Sequence, residues 1–72
     1  MNVGSLIKYY RTKQGMTQSE LVEGICSVPH LSKIENNGKE ANEQTIDLLL
    51  NRLGANLKEM QQKNGMIEEL LD

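Results

Sequence analysis

Residues 17–35, TQSELVEGICSVPHLSKIE, contain the strongest signal for the fold of this chain. This segment contains two short helical patterns separated by a tight break, and each opens with a capping residue, Thr17 and then Ser27. Apolar residues recur at helical spacing in both patterns, which predicts one buried face on each helix. They are Leu21, Val22 and Ile25 in the first pattern, and Leu31 and Ile34 in the second. Because two such short helices bury little surface by themselves, flanking segments must close a core over them.

The capping residues and the only proline set the ends of these two helices. Thr17 and Glu20 have the spacing of a capping box, which predicts a helix from residue 18 to about residue 24. A helix capped by Ser27 would hold Pro29 in its first turn, where the missing N–H costs little. This helix is expected to continue to Glu35 and to end at the polar segment of residues 36–38.

Two flanking segments complete an all-α domain. Residues 3–14 and residues 43–53 each carry apolar residues every three or four positions, which predicts an amphipathic helix in each. Gly54 is expected to end the second of these helices, and Asn56 to open a short fifth one. No strand-like alternation is present, so the sequence predicts an all-α fold of five helices with a helical tail at residues 61–72.

Length and composition exclude several classes of function. Seventy-two residues without Trp or Phe make one small domain, whose aliphatic core has nothing to spare for a substrate cleft. Cys26 and His30 are the only residues of their types, so we expect no disulfide, no metal site and no cofactor. No nucleophile–base set or phosphate loop is present, so we expect no catalytic residues. The sequence contains neither a membrane-spanning run nor a signal peptide, and it predicts a cytoplasmic protein.

Charge is unevenly distributed along the chain. The net charge is -2, but residues 1–39 hold five basic and three acidic residues, whereas residues 40–72 hold three basic and seven acidic ones. The basic half therefore contains the two short helices. A solvated mixed surface would have much the same pattern.

Two separated segments resemble a known family. GMTQSELVEGICSVPHLSKIENNGK, residues 15–39, resembles the core of the Cro/C1-type (Xre-like, lambda-repressor-like) helix-turn-helix repressors, and LGANLKEM, residues 53–60, resembles their closing motif. The resemblance implies a DNA-binding domain over residues 1–60. It also implies that helix 3, about Val28–Glu35, enters the major groove of double-stranded DNA, with a homodimer bound to a two-part operator.

The turn between the two short helices departs from the family's usual pattern. Ile25-Cys26 is one residue shorter, and an extra asparagine precedes Gly38. The short turn resembles that of the peptide-responsive Rgg, PlcR and NprR regulators of quorum sensing. That resemblance implies that residues 61–72 are a linker, or the start of a linker helix, to a C-terminal domain that binds a signalling peptide.

The residues nearest DNA follow from helix geometry and from the resemblance together. The N-terminal residues of a recognition helix lie closest to base edges, and the resemblance selects the same four as base-reading residues: Ser27, Val28, Pro29 and Lys33. Lys33 could donate to guanine O6 or N7, and Val28 and Pro29 could contact a thymine methyl group. The alternative for these two apolar residues is that they only start the helix.

Seven further residues are expected to contact the DNA backbone: Thr17, Gln18, His30, Ser32, Asn36, Asn37 and Lys39. The resemblance implies that Gln18 holds a phosphate with its amide while bracing helix 3; the alternative is an ordinary exposed residue at a helix start. The extra asparagine leaves open which of the two asparagines matches the family's position. Lys8 and Lys13 could also contact phosphate, although solvated charge is the simpler interpretation.

Arg11 and Glu35 resemble an internal ion pair of the family, between helix 1 and the end of helix 3. Breaking such a buried pair costs about 3–5 kcal/mol, so we predict a structural role for Arg11 instead of phosphate binding. Cys26 is expected to be a small, buried turn residue, with redox sensing as the alternative.

A second function is compatible with the same fold. A sequence pI of about 5.3 motivates a protein-interaction module, of the antitoxin or adaptor type, in which the acidic second half and the helical pattern MIEELLD, residues 66–72, bind a partner. Binding to duplex DNA that weakens as salt rises would distinguish the regulator from this module.

Overall fold

The computed structural model describes residues 2–37 and 42–71, with side chains within residues 2–36 and 42–62. These residues form four α-helices and no strand: α1 (Val3–Lys13), α2 (Gln18–Val22), α3 (Val28–Asn37) and α4 (Glu43–Leu71). The all-α prediction is confirmed. No helix in the described ranges is long and apolar enough to cross a membrane.

Each helix begins where a polar side chain bonds a backbone N–H of the first turn. The acceptors are Asn2 Oδ1 for Ser5 N at 2.8 Å, Thr17 Oγ1 for Glu20 N at 3.1 Å, Ser27 Oγ for His30 N at 3.2 Å and Asn42 Oδ1 for Thr45 N at 2.8 Å. In return, the Glu20 carboxylate accepts a hydrogen bond from Thr17 N at 3.0 Å, which confirms the predicted capping box. Local sequence therefore sets the helix starts.

The turn between α2 and α3 is held by backbone and side-chain bonds. α2 ends at Val22, two residues earlier than predicted, because Glu23 has a ψ of 120° and Gly24 a φ of 77°, and neither angle continues a right-handed helix. The amides of Ile25 and Cys26 both donate to Val22 O, at 2.7 and 3.1 Å. α3 extends to Asn37, two residues beyond the predicted end.

The five-helix prediction is not confirmed, because α4 continues through Gly54 to Leu71. A glycine inside a helix costs about 1 kcal/mol relative to alanine, which weakens the helix without ending it. Gly54 does not adopt a positive φ, and Asn56 does not cap a new helix there. Its side-chain amide instead donates to Gln14 Oε1 at 2.6 Å, across to the end of α1.

The core is aliphatic and draws on all four helices. Its buried members are Ile7 from α1, Leu21 and Val22 from α2, Leu31 and Ile34 from α3, and Leu49 and Leu53 from α4. α1 and α3 approach so closely at Gly4 that a Cβ there would lie 1.8 Å from Ile34 O. The C-terminal part of α3, next to Glu35, therefore packs directly against the start of α1.

Candidate nucleic-acid interface

α3 presents one face to the core and the opposite face to solvent. Leu31 and Ile34 are fully buried. Four residues of this region are exposed and form what we call the outer face: Ser27, Pro29, Lys33 and Asn36. His30 and Ser32 are half-buried at its margins. The outer face therefore holds three of the four predicted base-reading residues.

Val28, the fourth, is placed differently from its neighbour Pro29. Its side chain is half-buried and packs against the aliphatic core, whereas Pro29 is exposed. Val28 therefore contributes to the start of α3 from the inside. Pro29 has more surface available for an apolar contact outside the domain.

Three helices meet at the carboxylate of Glu35, which is only 6% exposed. Arg11 forms a fork on it, with Nε donating to Oε2 at 2.7 Å and Nη2 donating to Oε1 at 3.1 Å. Gln18 Nε2 also donates to Oε1 at 3.1 Å. The remaining Arg11 Nη1 donates to Met16 O at 2.9 Å. We call these residues the Glu35 network, and it links α1, the start of α2 and the end of α3.

Because the Glu35 carboxylate is buried, each of its oxygen atoms needs a hydrogen-bond donor from the protein. A buried charge is tolerated only where hydrogen bonds replace the water it has lost. Within the described side chains, no buried polar atom lacks a hydrogen-bond partner. The network therefore holds the angle between α2 and α3 without leaving a charge unsatisfied.

Gln18 has a second role available because of its amide chemistry. A carboxylate only accepts hydrogen bonds, so the amide nitrogen of Gln18 must face Glu35. That nitrogen carries two hydrogens, and the bond to Glu35 uses one. The half-buried Gln18 can thus brace α3 and still offer an N–H donor at the beginning of α2.

The N-terminus of α2 also carries a negative charge. Hydrogen bonds from the Thr17 backbone and hydroxyl lower the pKa of the exposed Glu20 carboxyl, so Glu20 is ionised at neutral pH. This carboxylate offsets part of the positive end of the helix dipole. An anion at this place would therefore depend on a side-chain donor such as the Gln18 amide.

Sequence reasoning missed Arg52 of α4. Its Nη1 donates to Leu21 O at 3.3 Å and also to Glu23 O, the carbonyl groups at the C-terminal end of α2. A cation there satisfies carbonyls that have no partner within the helix. No local pattern could have revealed this contact, because the residues it joins are about thirty positions apart.

Other predicted site residues fall at the edge of what the structure covers. Lys39 and the side chain of Asn37 lie outside the described residues. Lys8 and Lys13 are exposed on α1, which is a different helix from the one that carries the outer face. Lys13 Nζ lies 5.7 Å from the centroid of the Tyr9 ring. Cys26 is half-buried beside the core, and desolvation raises the pKa of its thiol, so it stays protonated at neutral pH.

The described residues contain no group of three or more His, Cys, Asp or Glu placed to hold a metal ion. His30 lies alone at the margin of the outer face. Among the residues that the structure describes, the outer face consists of a hydroxyl, an amide, the Lys33 ammonium group and the Pro29 ring.

Two short helices joined by a tight turn, with the second braced by buried contacts and exposed on its outer side, define a helix-turn-helix protein. The family model described as helix-turn-helix matches residues 7–60, and the chain belongs to this Cro/C1-type family. No curated protein and no solved structure matches the chain significantly. The family consists of DNA-binding domains, which supports binding of this chain to double-stranded DNA. Members of the family are generally non-enzymatic.

Proposed function

We propose that this chain is the DNA-binding domain of a sequence-specific transcription regulator and that α3 lies in the major groove. The observation that carries this proposal is the exposed outer face of α3, held at a defined angle by the Glu35 network. An α-helix fits the major groove, where its N-terminal residues reach base edges.

We propose that three residues read the bases: one through a charged donor, one through an apolar contact and one through a hydroxyl group. Lys33 donates to guanine O6 or N7, and Pro29 contacts a thymine methyl group. The Ser27 hydroxyl accepts from His30 N and keeps its own hydrogen for a base or phosphate. Val28 has only part of its side chain available for a base contact, because the rest packs on the core.

Backbone contacts fix the domain on the duplex. Gln18 offers its second amide hydrogen to a phosphate, and Thr17, whose hydroxyl is already bonded to Glu20, is proposed to lie beside the DNA backbone through its place at the start of α2. The other proposed contacts to the DNA backbone are His30, Ser32, Asn36, Asn37 and Lys39. Such contacts set register and affinity but carry no sequence information by themselves.

Specificity requires two copies of the domain. One outer face offers few base contacts, and each good contact discriminates by about 1–3 kcal/mol. A homodimer on a two-part operator doubles that number, with half-sites about one helical turn, or a multiple, apart. We therefore propose a dimer as the functional form.

The short Ile25-Cys26 turn supports a finer assignment. We propose a relationship to the peptide-responsive Rgg, PlcR and NprR regulators, in which a C-terminal domain outside this chain would bind a signalling peptide in the cytoplasm. α4 crosses the proposed boundary at residue 60 without a break, as a linker helix would. Sequencing the gene beyond codon 72 tests this part: helical repeats there would support it, and their absence would contradict it.

Base reading is tested by comparing Lys33→Ala with Lys58→Ala, which removes the same charge from an exposed site on α4. A duplex selected from a random library serves as the specific site, and binding is followed by fluorescence anisotropy. Lys33→Ala should weaken binding to the selected duplex by about tenfold to a hundredfold. Its effect on random duplex should match that of Lys58→Ala, and equal losses on both duplexes would rule out base reading by Lys33.

A salt titration separates this function from the protein-interaction module. The excess of acidic residues in residues 40–72 favours the alternative. Phosphate contacts release counterions, so DNA affinity should fall steeply as salt rises. Absence of duplex binding at low salt would favour the interaction module.

A further inference from the structure

The part of α4 beyond the core has an apolar side. Every residue from Leu57 to Gln62 is exposed, including Leu57 at 39% and Met60 at 37%. Leu57 also lines a groove of about 230 Å³, together with Tyr10 and Leu53. Leu57 and Met60 thus give this part of α4 an apolar side that is open to solvent.

The spacing along this part of α4 is that of a heptad repeat. Leu57, Asn64 and Leu71 are seven residues apart and occupy a positions, and Met60 and Ile67 occupy d positions. The intervening positions are mostly polar or charged. An a and d repeat of this kind is typical of a helix that pairs with another helix in a left-handed coiled coil.

Two features of the repeat select the partner and its orientation. A single asparagine at an a position, here Asn64, favours parallel two-stranded coiled coils in which the two asparagines are in register. Lys63 occupies a g position and Glu68 the e position of the next heptad. In a parallel pair of identical helices a g position is adjacent to the following e position of the other helix, so this register pairs a basic position with an acidic one. In an antiparallel pair g faces g and e faces e, and no opposite charges meet.

We propose that residues 57–71 of α4 form a parallel coiled coil with the same residues of a second copy of this chain. This inference rests on the proposed dimeric DNA-binding function and assigns the dimer interface. Two heptads are fewer than the three or four that usually sustain a coiled coil. The interface is therefore weak, and the dimer forms reversibly over a range of protein concentrations.

The first test measures self-association without DNA, by sedimentation equilibrium of the 72-residue chain and two variants. Met60→Glu places a charge at a d position, and Gln62→Glu places the same charge at an f position on the opposite side of the helix. Both sites are exposed, so the fold, followed by circular dichroism, should not change. Met60→Glu should raise the dimer dissociation constant by about tenfold or more, whereas Gln62→Glu should change it by less than about twofold.

The second test uses charge reversal to determine orientation. Lys63→Glu and Glu68→Lys each place like charges across the interface, so each variant alone should dimerise more weakly than the natural chain. An equimolar mixture of the two should dimerise as well as the natural chain or better, because every pair in the mixed dimer has opposite charges. Failure of the mixture to recover association, or a natural chain that stays monomeric at millimolar concentration, would overturn the proposal.

The two proposals fail independently. Loss of self-association in Met60→Glu should leave binding of one domain to an isolated half-site unchanged. A chain that dimerises through α4 but binds no duplex would retain the interface and lose the proposed function.

Discussion

Residues 17–36 and residues 54–62 are both mainly helical, but the rest of the molecule contacts them very differently. In the first segment Leu21, Leu31 and Ile34 are fully buried, and Glu35 accepts three hydrogen bonds from α1 and α2. In the second segment every residue is exposed except Asn56, which is half-buried, and the side chains of Leu57 and Met60 are open to solvent. We call these segments the braced segment and the projecting segment.

The difference indicates what each segment can do. A surface that reads base edges must hold its donors at defined positions, which requires an orientation fixed by buried contacts. A segment whose helix depends on local propensity can accept a second helix on its free side without disturbing the core. The substitutions below test this contrast and are ordered by the size of the change in stability that each should cause.

Removing Glu35 should have the largest effect, because it leaves Arg11 partly buried without its carboxylate. Glu35→Ala is expected to lower the free energy of unfolding by about 3–5 kcal/mol, measured by urea denaturation. A double variant, Arg11→Met with Glu35→Leu, should recover much of this loss because no charge is left unpaired. A single variant that unfolds at the same urea concentration as the natural chain would show that the network does not hold the braced segment.

Gly4→Ala tests the close approach of α1 and α3. The added Cβ would meet the backbone of Ile34 at 1.8 Å, and a backbone carbonyl cannot move aside as a flexible side chain can. We expect the two helices to separate, with a loss of about 3 kcal/mol in the free energy of unfolding. Shifted amide resonances of Ile34 and Glu35 in the variant's NMR spectrum would locate the change, and an unchanged stability would contradict the packing described.

Thr17→Ala removes the capping hydroxyl of α2. The loss should be about 1 kcal/mol at neutral pH, since Glu20 N is left without its acceptor. Urea denaturation of the variant beside the natural chain measures it.

The Glu20 carboxylate, which forms the second hydrogen bond of the same capping box, predicts that the stability of the domain depends on pH. Hydrogen bonds from Thr17 hold the pKa of Glu20 below its ordinary value in the folded chain, so its contribution to stability is present above the unfolded-state pKa and disappears as pH falls through the folded-state pKa. The difference in stability between the natural chain and Glu20→Gln should therefore vanish in acid. A difference that persists at the lowest pH would show that the carboxylate's charge is not involved.

Gly54→Ala should have the smallest effect and the opposite sign. Gly54 is helical and exposed, and a Cβ there would meet nothing within 4 Å. Alanine should stabilise α4 by about 0.5–1 kcal/mol, seen as a higher urea midpoint. The two glycine variants form a matched pair, because the same methyl group destabilises the braced segment's packing and strengthens the projecting segment's helix. Destabilisation by Gly54→Ala would mean that α4 has a partner or a bend at this position.

Much of the site could be predicted because its signals are local or belong to a known family pattern. Thr17, Ser27 and Asn42 mark helix starts through bonds to residues three positions away. The fork between Arg11 and Glu35 crosses 24 positions and was expected only from the family resemblance. The bond from Gln18 to Glu35 agrees with the bracing role that the resemblance implied, whereas its phosphate contact stays a prediction.

Other features could not be predicted, because they depend on how distant segments meet. The half-burial of Val28, the contact of Arg52 with the end of α2 and the tight crossing at Gly4 all involve residues on different helices. The helix end predicted at Gly54 was wrong for a different reason: a glycine's intrinsic cost is smaller than the sum of its neighbours' preference for the helix.

The start of each helix, most of the aliphatic core and the family of the domain could be inferred from the amino-acid sequence alone. These properties follow from caps, from apolar spacing and from motifs, all of which are local. The half-burial of Val28 beside the exposed Pro29, and the contacts that hold α3 in place, became apparent only in the folded chain. Exposure and orientation depend on contacts between distant residues, such as those at Glu35, and no short stretch of sequence contains both partners.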